Sequence, residues 1–256
     1  MTAPAALFSV SNVSLRFGGV QAIGDVSFDV HQGEVFAIIG PNGAGKTSML
    51  NVITRVFDPS CGSISFEGQD ITTLPRHKVV QRGIARTFQN IELFEGGTVL
   101  DNQLLGRHRF DHGSFMAQCF WTPSVRAAEA SSRAQVEDVI ELLDLMPYRN
   151  SPVAALPYGV RKVVELARAL ATQPRLLLLD EPASGLNPEE SRDLAFWIGD
   201  IQKDLGITVI MVEHDMSLVS QAADLVLCMN MGQVLAQGSP AQVQSDPAVI
   251  AAYLGG

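Results

Sequence analysis

Eight residues constrain this chain more than any others: Gly40-Pro41-Asn42-Gly43-Ala44-Gly45-Lys46-Thr47. They fit G-x-x-x-x-G-K-[ST], a glycine-rich turn that joins a buried strand to a helix and turns backbone N–H groups toward phosphate. The flanks supply that setting. Residues 35–39 are an unbroken apolar run that reads as a buried strand, and residues 48–53 read as the helix. Glycine lets the backbone wrap closely around an anion, and the helix N-terminus favours negative charge. The pattern assigns Gly40, Pro41, Asn42, Gly43, Ala44, Gly45, Lys46, Thr47 and Ser48 to a nucleotide's phosphates. Lys46 would reach the β- and γ-phosphates, and the Thr47 hydroxyl would bind Mg2+.

Two later strand ends extend the constellation. Leu176 to Leu179 is apolar and runs into Asp180-Glu181. Sheets of alternating strand and helix bind ligands beyond the carboxyl ends of their strands. There Asp180 is placed to hold Mg2+ and Glu181 to polarise an attacking water. A third apolar strand, residues 208–212, leads into Glu213 and His214. The imidazole of His214, at the same sheet edge, is placed to donate to a γ-phosphate. His31, His77, His108 and His112 have no such setting and read as packed or solvated side chains.

The remaining pattern is that of an α/β chain. Val26, Phe28 and Val30 alternate with Ser27 and Asp29, the period of a half-buried strand. Residues 7–30 therefore read as an antiparallel β-layer, with Phe17-Gly18-Gly19 as a turn. Helical periodicity dominates from 98 to about 145, where Val136, Val139, Ile140, Leu142 and Leu143 form an apolar stripe. Leu156-Pro157-Tyr158-Gly159 interrupts it, and a helix resumes from Arg161 to Thr172. A helix from 188 to about 205 and a late hairpin around Asn230-Met231-Gly232 complete the reading. Alternating strands and helices imply a parallel sheet with right-handed crossovers. The expectation is one domain over 1–256 with a helical subdomain at about 90–165. The aromatic loop from 107 to 123 has no clear period and reads as a binding surface or a mobile segment.

Composition limits the partners. With a net charge of −9 and no basic run, non-specific nucleic-acid binding is disfavoured, because phosphate must be neutralised by Lys and Arg. Cys61, Cys119 and Cys228 are widely spaced and contain no C-x-x-C, so zinc is not expected. No charged start precedes an apolar leader, and no run approaches the roughly 18 apolar residues of a membrane span. The chain reads as a soluble protein of a reducing compartment.

Taken together, the motifs resemble those of an ABC-transporter nucleotide-binding subunit over essentially the whole chain. In that likeness Phe17 matches the aromatic loop that stacks on adenine, and Gly40 to Thr47 matches Walker A. Gln89, in Arg86-Thr87-Phe88-Gln89-Asn90, matches the Q-loop that touches Mg2+ or water and meets the membrane subunit. Leu156 to Val160, including Tyr158 and Gly159, matches the signature loop. Leu176 to Glu181 matches Walker B with its catalytic glutamate, Ser184 to Asn187 the D-loop, and His214 the switch histidine. Phe120-Trp121-Thr122-Pro123-Ser124, the Leu156 to Gly159 stretch and the ending Ala252-Tyr253-Leu254-Gly255 are further similar to the LivG-type subunit of branched-chain amino-acid importers, a group that includes urea and amide importers.

The resemblance implies ATP and Mg2+ as ligands and a head-to-tail dimer in which Walker A of one subunit faces the signature loop of the other. It also implies transmembrane permease subunits, an external substrate-binding protein acting indirectly, and a peripheral place on the cytoplasmic side of the inner membrane. One residue departs from the pattern. Pro157 stands where serine is usual, and proline offers neither N–H nor hydroxyl. Losing one charged-group hydrogen bond costs about 1.5–3 kcal/mol. This implies a weaker composite site at this signature loop and a non-identical partner cassette. An ATPase of a lipopolysaccharide-type exporter, a soluble ABC protein and a small-molecule kinase remain as alternatives.

Overall fold

The computed structural model describes residues 6–87, 91–110 and 122–254. They fall into two compact units, Met1–Arg86 with Arg175–Gly256, and Thr87–Pro174. The first unit begins with β1 (Phe8–Phe17), β2 (Val20–Val30), β3 (Val35–Ile39), α1 (Lys46–Ile53), β4 (Cys61–Phe66), β5 (Gln69–Asp70), α2 (Arg76–Gln81) and β6 (Ile84–Arg86). The second unit holds α3 (Val99–Arg107), α4 (Pro123–Leu142) and α5 (Tyr158–Ala171). The chain then returns through β7 (Leu176–Asp180), α6 (Pro188–Lys203), β8 (Thr208–Val212) and α7 (Met216–Ala222). It ends in β9 (Leu225–Asn230), β10 (Gln233–Gly238), α8 (Pro240–Ser245) and α9 (Pro247–Leu254).

Two sheets build the first unit. The smaller is antiparallel, in the order β2-β1-β4-β5. Phe8 pairs with Val30 and Val10 with Phe28, so the apolar face predicted by the alternation turns inward. The larger sheet runs β10-β9-β3-β8-β7-β6. It is parallel throughout except for the antiparallel β9–β10 hairpin at its edge. All residues of β3, β7 and β8 are buried, as expected of central parallel strands covered on both faces. One apolar core joins the sheets and takes in Met49, Leu50 and Ile53 of α1. Phe28 and Phe36 stack within it with centroids 5.0 Å apart. The expected α/β class, with an N-terminal antiparallel layer, is the class observed.

In the second unit α3 packs against α5. Gln103 Nε2 donates to Val164 O at 2.9 Å, and Arg107 Nη1 to Ala171 O at 3.1 Å. A Cβ on Gly106 would stand 2.7 Å from Arg168 O, so only glycine permits this approach. Thr98 caps α3 in a capping box with Asp101. The hydrogen bonds from Thr98 hold the Asp101 carboxyl below its ordinary range.

Three sequence expectations are corrected. The helix expected from Arg161 begins at Tyr158, with Pro157 as its N-cap at φ −55° and ψ 154°; the proline ring holds φ near this value. The loop expected from 107 is ordered at its beginning, with α3 running through Arg107, a 3-10 turn over His108–Phe110 and the Arg107 guanidinium 3.8 Å above the Phe110 ring. The rest of that loop, 111–121, lies outside the described residues. Helices α2, α7, α8 and α9 were not expected. Each has eight residues or fewer, too short for a 3.6-residue period to stand out.

Candidate nucleotide site

The phosphate loop leaves β3 at Ile39 and enters α1 at Lys46. Three of its glycines take positive φ: Gly40 at 148°, Gly43 at 80° and Gly45 at 101°. Gly40 and Gly45 also answer to crowding. An added Cβ would lie 2.1 Å from Met229 O at the first and 2.7 Å from Ala22 O at the second. The late hairpin braces the loop, because Gly232 N donates to Ala44 O at 2.9 Å and Gly24 N to Gly232 O at 2.8 Å.

A groove of about 390 Å³ opens over this loop, lined by Val20, Gln21, Ala22, residues 42–48, Glu181, Met231 and Gly232. Asn42, Gly43, Ala44, Gly45, Lys46, Thr47 and Ser48 are thus brought together with Glu181. Lys46 is buried, and its Nζ donates to Gly40 O at 2.6 Å and to Pro41 O at 3.0 Å. Burial lowers its pKa, and the nearby carboxylates of Glu181, Asp180 and Glu213 push the other way. The ammonium sits at the loop's first two carbonyls, which suits a point charge that meets phosphates.

Glu181 sits just past the end of β7 with a left-handed φ of 48°. Its N–H donates to Val212 O at 2.9 Å, so the side chain's place is set by β8. Asp180 is buried at the strand end. Its Oδ2 accepts from Arg86 Nη2 at 2.7 Å, whereas its buried Oδ1 has no hydrogen-bond partner among the described residues. A buried carboxylate oxygen without a donor is costly unless a cation supplies the missing charge. Mg2+ takes one or two protein oxygens together with phosphate oxygens and water. Asp180 Oδ1 and the exposed Thr47 hydroxyl fit that requirement.

His214 follows β8, and its side chain is more than half exposed. It does not line the groove, and neither does Phe17. Phe17 closes β1, about half exposed, with its ring edge-to-face on Phe57 at 5.0 Å. Tyr158 and Gly159 form the first turn of α5 in the second unit. Tyr158 is exposed and Gly159 is buried. Lys162 Nζ stands 5.9 Å from the Tyr158 ring centroid. Gln89 lies outside the described residues.

Sequence reasoning missed two residues. Glu213 is fully buried, and its oxygens accept from the N–H groups of Ala183, His214 and Asp215 at 2.8, 2.9 and 3.1 Å. Arg86 ties Asp180 to α1. The only sequence signal for either is a charge set directly at the end of an apolar strand, which has to be paired or capped when buried.

Comparison with known proteins agrees with this geometry. Residues 23–184 match the ABC transporter family, and residues 233–256 match the family described as branched-chain amino acid ATP-binding cassette transporter. The chain is 40% identical to the high-affinity branched-chain amino acid transport ATP-binding protein BraF of Pseudomonas aeruginosa, over 97% of this chain and 98% of that one. It is 36% identical, with the same coverage, to the protein of the same description, LivG, of Escherichia coli K12. A nucleotide-free ATP-binding cassette from an ABC transporter superposes with a TM-score of 0.85 at 31% identity, covering 98% of this chain and all of the other. The ADP conformation of an ATP-binding cassette superposes at 0.84 with 30% identity, again over 98% and 100% of the two chains. By motif, fold and similarity, this chain belongs to the ABC transporter family as one of its ATP-binding cassettes.

Proposed function

We propose that this ABC ATPase energises an importer whose cargo is a branched-chain amino acid or a related amide or urea. The observation that carries the cargo class is the match of residues 233–256 to the branched-chain family, because this stretch lies outside the part matched by the general ABC family.

ATP lies with its phosphates over residues 40–48, with Lys46 at the β- and γ-phosphates and Phe17 against the adenine. Thr47 and Asp180 hold Mg2+, with Gln89 as a further contact. The bound ion neutralises charge on the phosphate oxygens. Glu181 takes a proton from water as the water oxygen attacks the γ-phosphorus. The bond to the β-phosphate oxygen breaks, releasing ADP and phosphate. His214 donates to the γ-phosphate. Tyr158 and Gly159, with the N-terminal N–H groups of α5, face the nucleotide of a second, non-identical cassette in a head-to-tail dimer. Residues 1–256 act as one nucleotide-binding domain, with about 90–165 as its helical subdomain.

The dimer docks peripherally on permease subunits at the cytoplasmic face of the inner membrane. An external binding protein selects the cargo, and nucleic acid has no part. Among the described residues no helix is long and apolar enough to cross a membrane.

Affinity capture of the tagged chain from gently solubilised membranes tests this reading. It predicts recovery of two different permeases and a second ATPase. Recovery of ribosomes, or of no membrane protein, overturns it.

A further inference from the structure

We infer that Arg86 is a positioning residue that presents the Asp180 carboxylate to the metal and locks it to the helix following the phosphate loop. The inference rests on the reading of Asp180 as a Mg2+ ligand. In the parallel pairing of β6 with β7, Arg86 stands opposite Leu178. Asp180 is two residues further along β7, on the same face as Leu178. The guanidinium therefore reaches forward along one face of the sheet, and its Nη2 donates to Asp180 Oδ2 at 2.7 Å. Its Nη1 donates to Asn51 Oδ1 at 2.8 Å, on α1, and to Thr54 Oγ1 at 3.1 Å, at the C-cap of that helix. One planar group thus spans β6, β7 and α1. The Asp180 and Arg86 side chains are only 2% and 10% exposed.

The two carboxylate oxygens have different fates. Oδ2 is taken by Arg86, and Oδ1 is buried with no hydrogen-bond partner among the described residues. The fork holds the carboxylate in one orientation, with one oxygen left for a cation. A lysine would restore the charge but not the fork. The Asn51 and Thr54 bonds set that orientation against the helix that begins with Lys46 and Thr47.

Charge and position predict opposite outcomes, which makes the test decisive. Removing a cation beside a metal ligand should, by Coulomb's law alone, tighten metal binding. Losing an orienting partner weakens it, typically 10–100-fold. The full-length chain and its Arg86→Ala, Arg86→Lys and Asp180→Asn variants are titrated with Mn2+ in the presence of a non-hydrolysable ATP analogue. Binding is read by electron paramagnetic resonance, with nucleotide affinity in EDTA and thermal unfolding measured alongside.

The expected result is at least tenfold weaker Mn2+ binding in Arg86→Ala, with nucleotide affinity in EDTA within about twofold of the parent. Arg86→Lys should fall between, at least about threefold weaker than the parent. Unchanged or tighter Mn2+ binding in a folded Arg86→Ala, with Asp180→Asn weakened, overturns the positioning role. Should Arg86→Ala not fold, parental affinity in Arg86→Lys overturns it instead. Unchanged binding in Asp180→Asn removes the metal role of Asp180 itself, and the inference falls with it.

Discussion

The Glu213 carboxylate accepts the Ala183 N–H through Oε1 at 2.8 Å and the His214 N–H through Oε2 at 2.9 Å. One buried side chain thus ties the turn that follows Glu181 to the backbone of His214. In Glu213→Gln one acceptor becomes a donor facing a donor. The expected loss is about 1.5–3 kcal/mol, a fall in Tm of at least about 3 °C by calorimetry for a chain of this size. Turnover should fall about tenfold to a hundredfold as the two loops lose register, with KM for ATP little changed.

Glu181→Gln removes the proton acceptor while keeping size and polarity. Turnover should drop by about 10²–10⁴, and ATP affinity, followed by fluorescent nucleotide titration, should stay within a few-fold. A variant that still hydrolyses ATP at the parental rate would place the base elsewhere.

Pro157→Ser tests the weak composite site. Pro157 already has the non-helical backbone that an N-cap residue adopts, with ψ at 154°. The hydroxyl should stabilise the start of α5 by about 1 kcal/mol and return a donor to the partner's phosphate. In the assembled transporter, ATPase turnover is expected to rise about tenfold, the counterpart of roughly 1.5 kcal/mol. Unchanged turnover at both sites would sink the idea.

Gly40→Ala and Gly43→Ala separate crowding from backbone strain. Both residues have positive φ, yet only at Gly40 does an added Cβ meet backbone, at 2.1 Å from Met229 O. Gly43→Ala should cost about 1–3 kcal/mol of strain. Gly40→Ala should cost more and abolish ATP binding. Equal losses in denaturant titrations would contradict the crowding argument.

The cysteines should label unequally. Cys61 is exposed and Cys228 buried, and burial pushes the Cys228 thiol up to about 11. At pH 8 that leaves roughly a hundredfold less thiolate than a thiol at 9, and the thiolate is the reactive form. In a Cys119→Ser background, maleimide should modify Cys61 within minutes and Cys228 only after unfolding, as mass spectrometry would reveal.

Sequence legibility followed length and chemistry. The buried strands β3, β7 and β8 were readable because each is an apolar run ending in a chemically distinctive residue. The groove's phosphate-loop residues and Glu181 were readable because G-x-x-x-x-G-K-[ST] and the paired carboxylates carry their own chemistry. The six-residue α2, with Val79 as its one buried residue, has no stripe to detect. Arg86 and Glu213 were illegible for another reason. Their roles come from partners 94 and 30 residues away, which only the parallel sheet brings near.

The order of the larger sheet has a consequence for synthesis. β3, which launches the phosphate loop, lies between β8 and β9, and the loop's Ala44 carbonyl is bonded by Gly232. A nascent chain with residues 35–53 outside the ribosome therefore carries the complete motif but lacks both strand neighbours and the brace. Only when residues beyond 232 have emerged can the sheet close around β3. Until then the phosphate loop has its residues but neither its strand neighbours nor its brace.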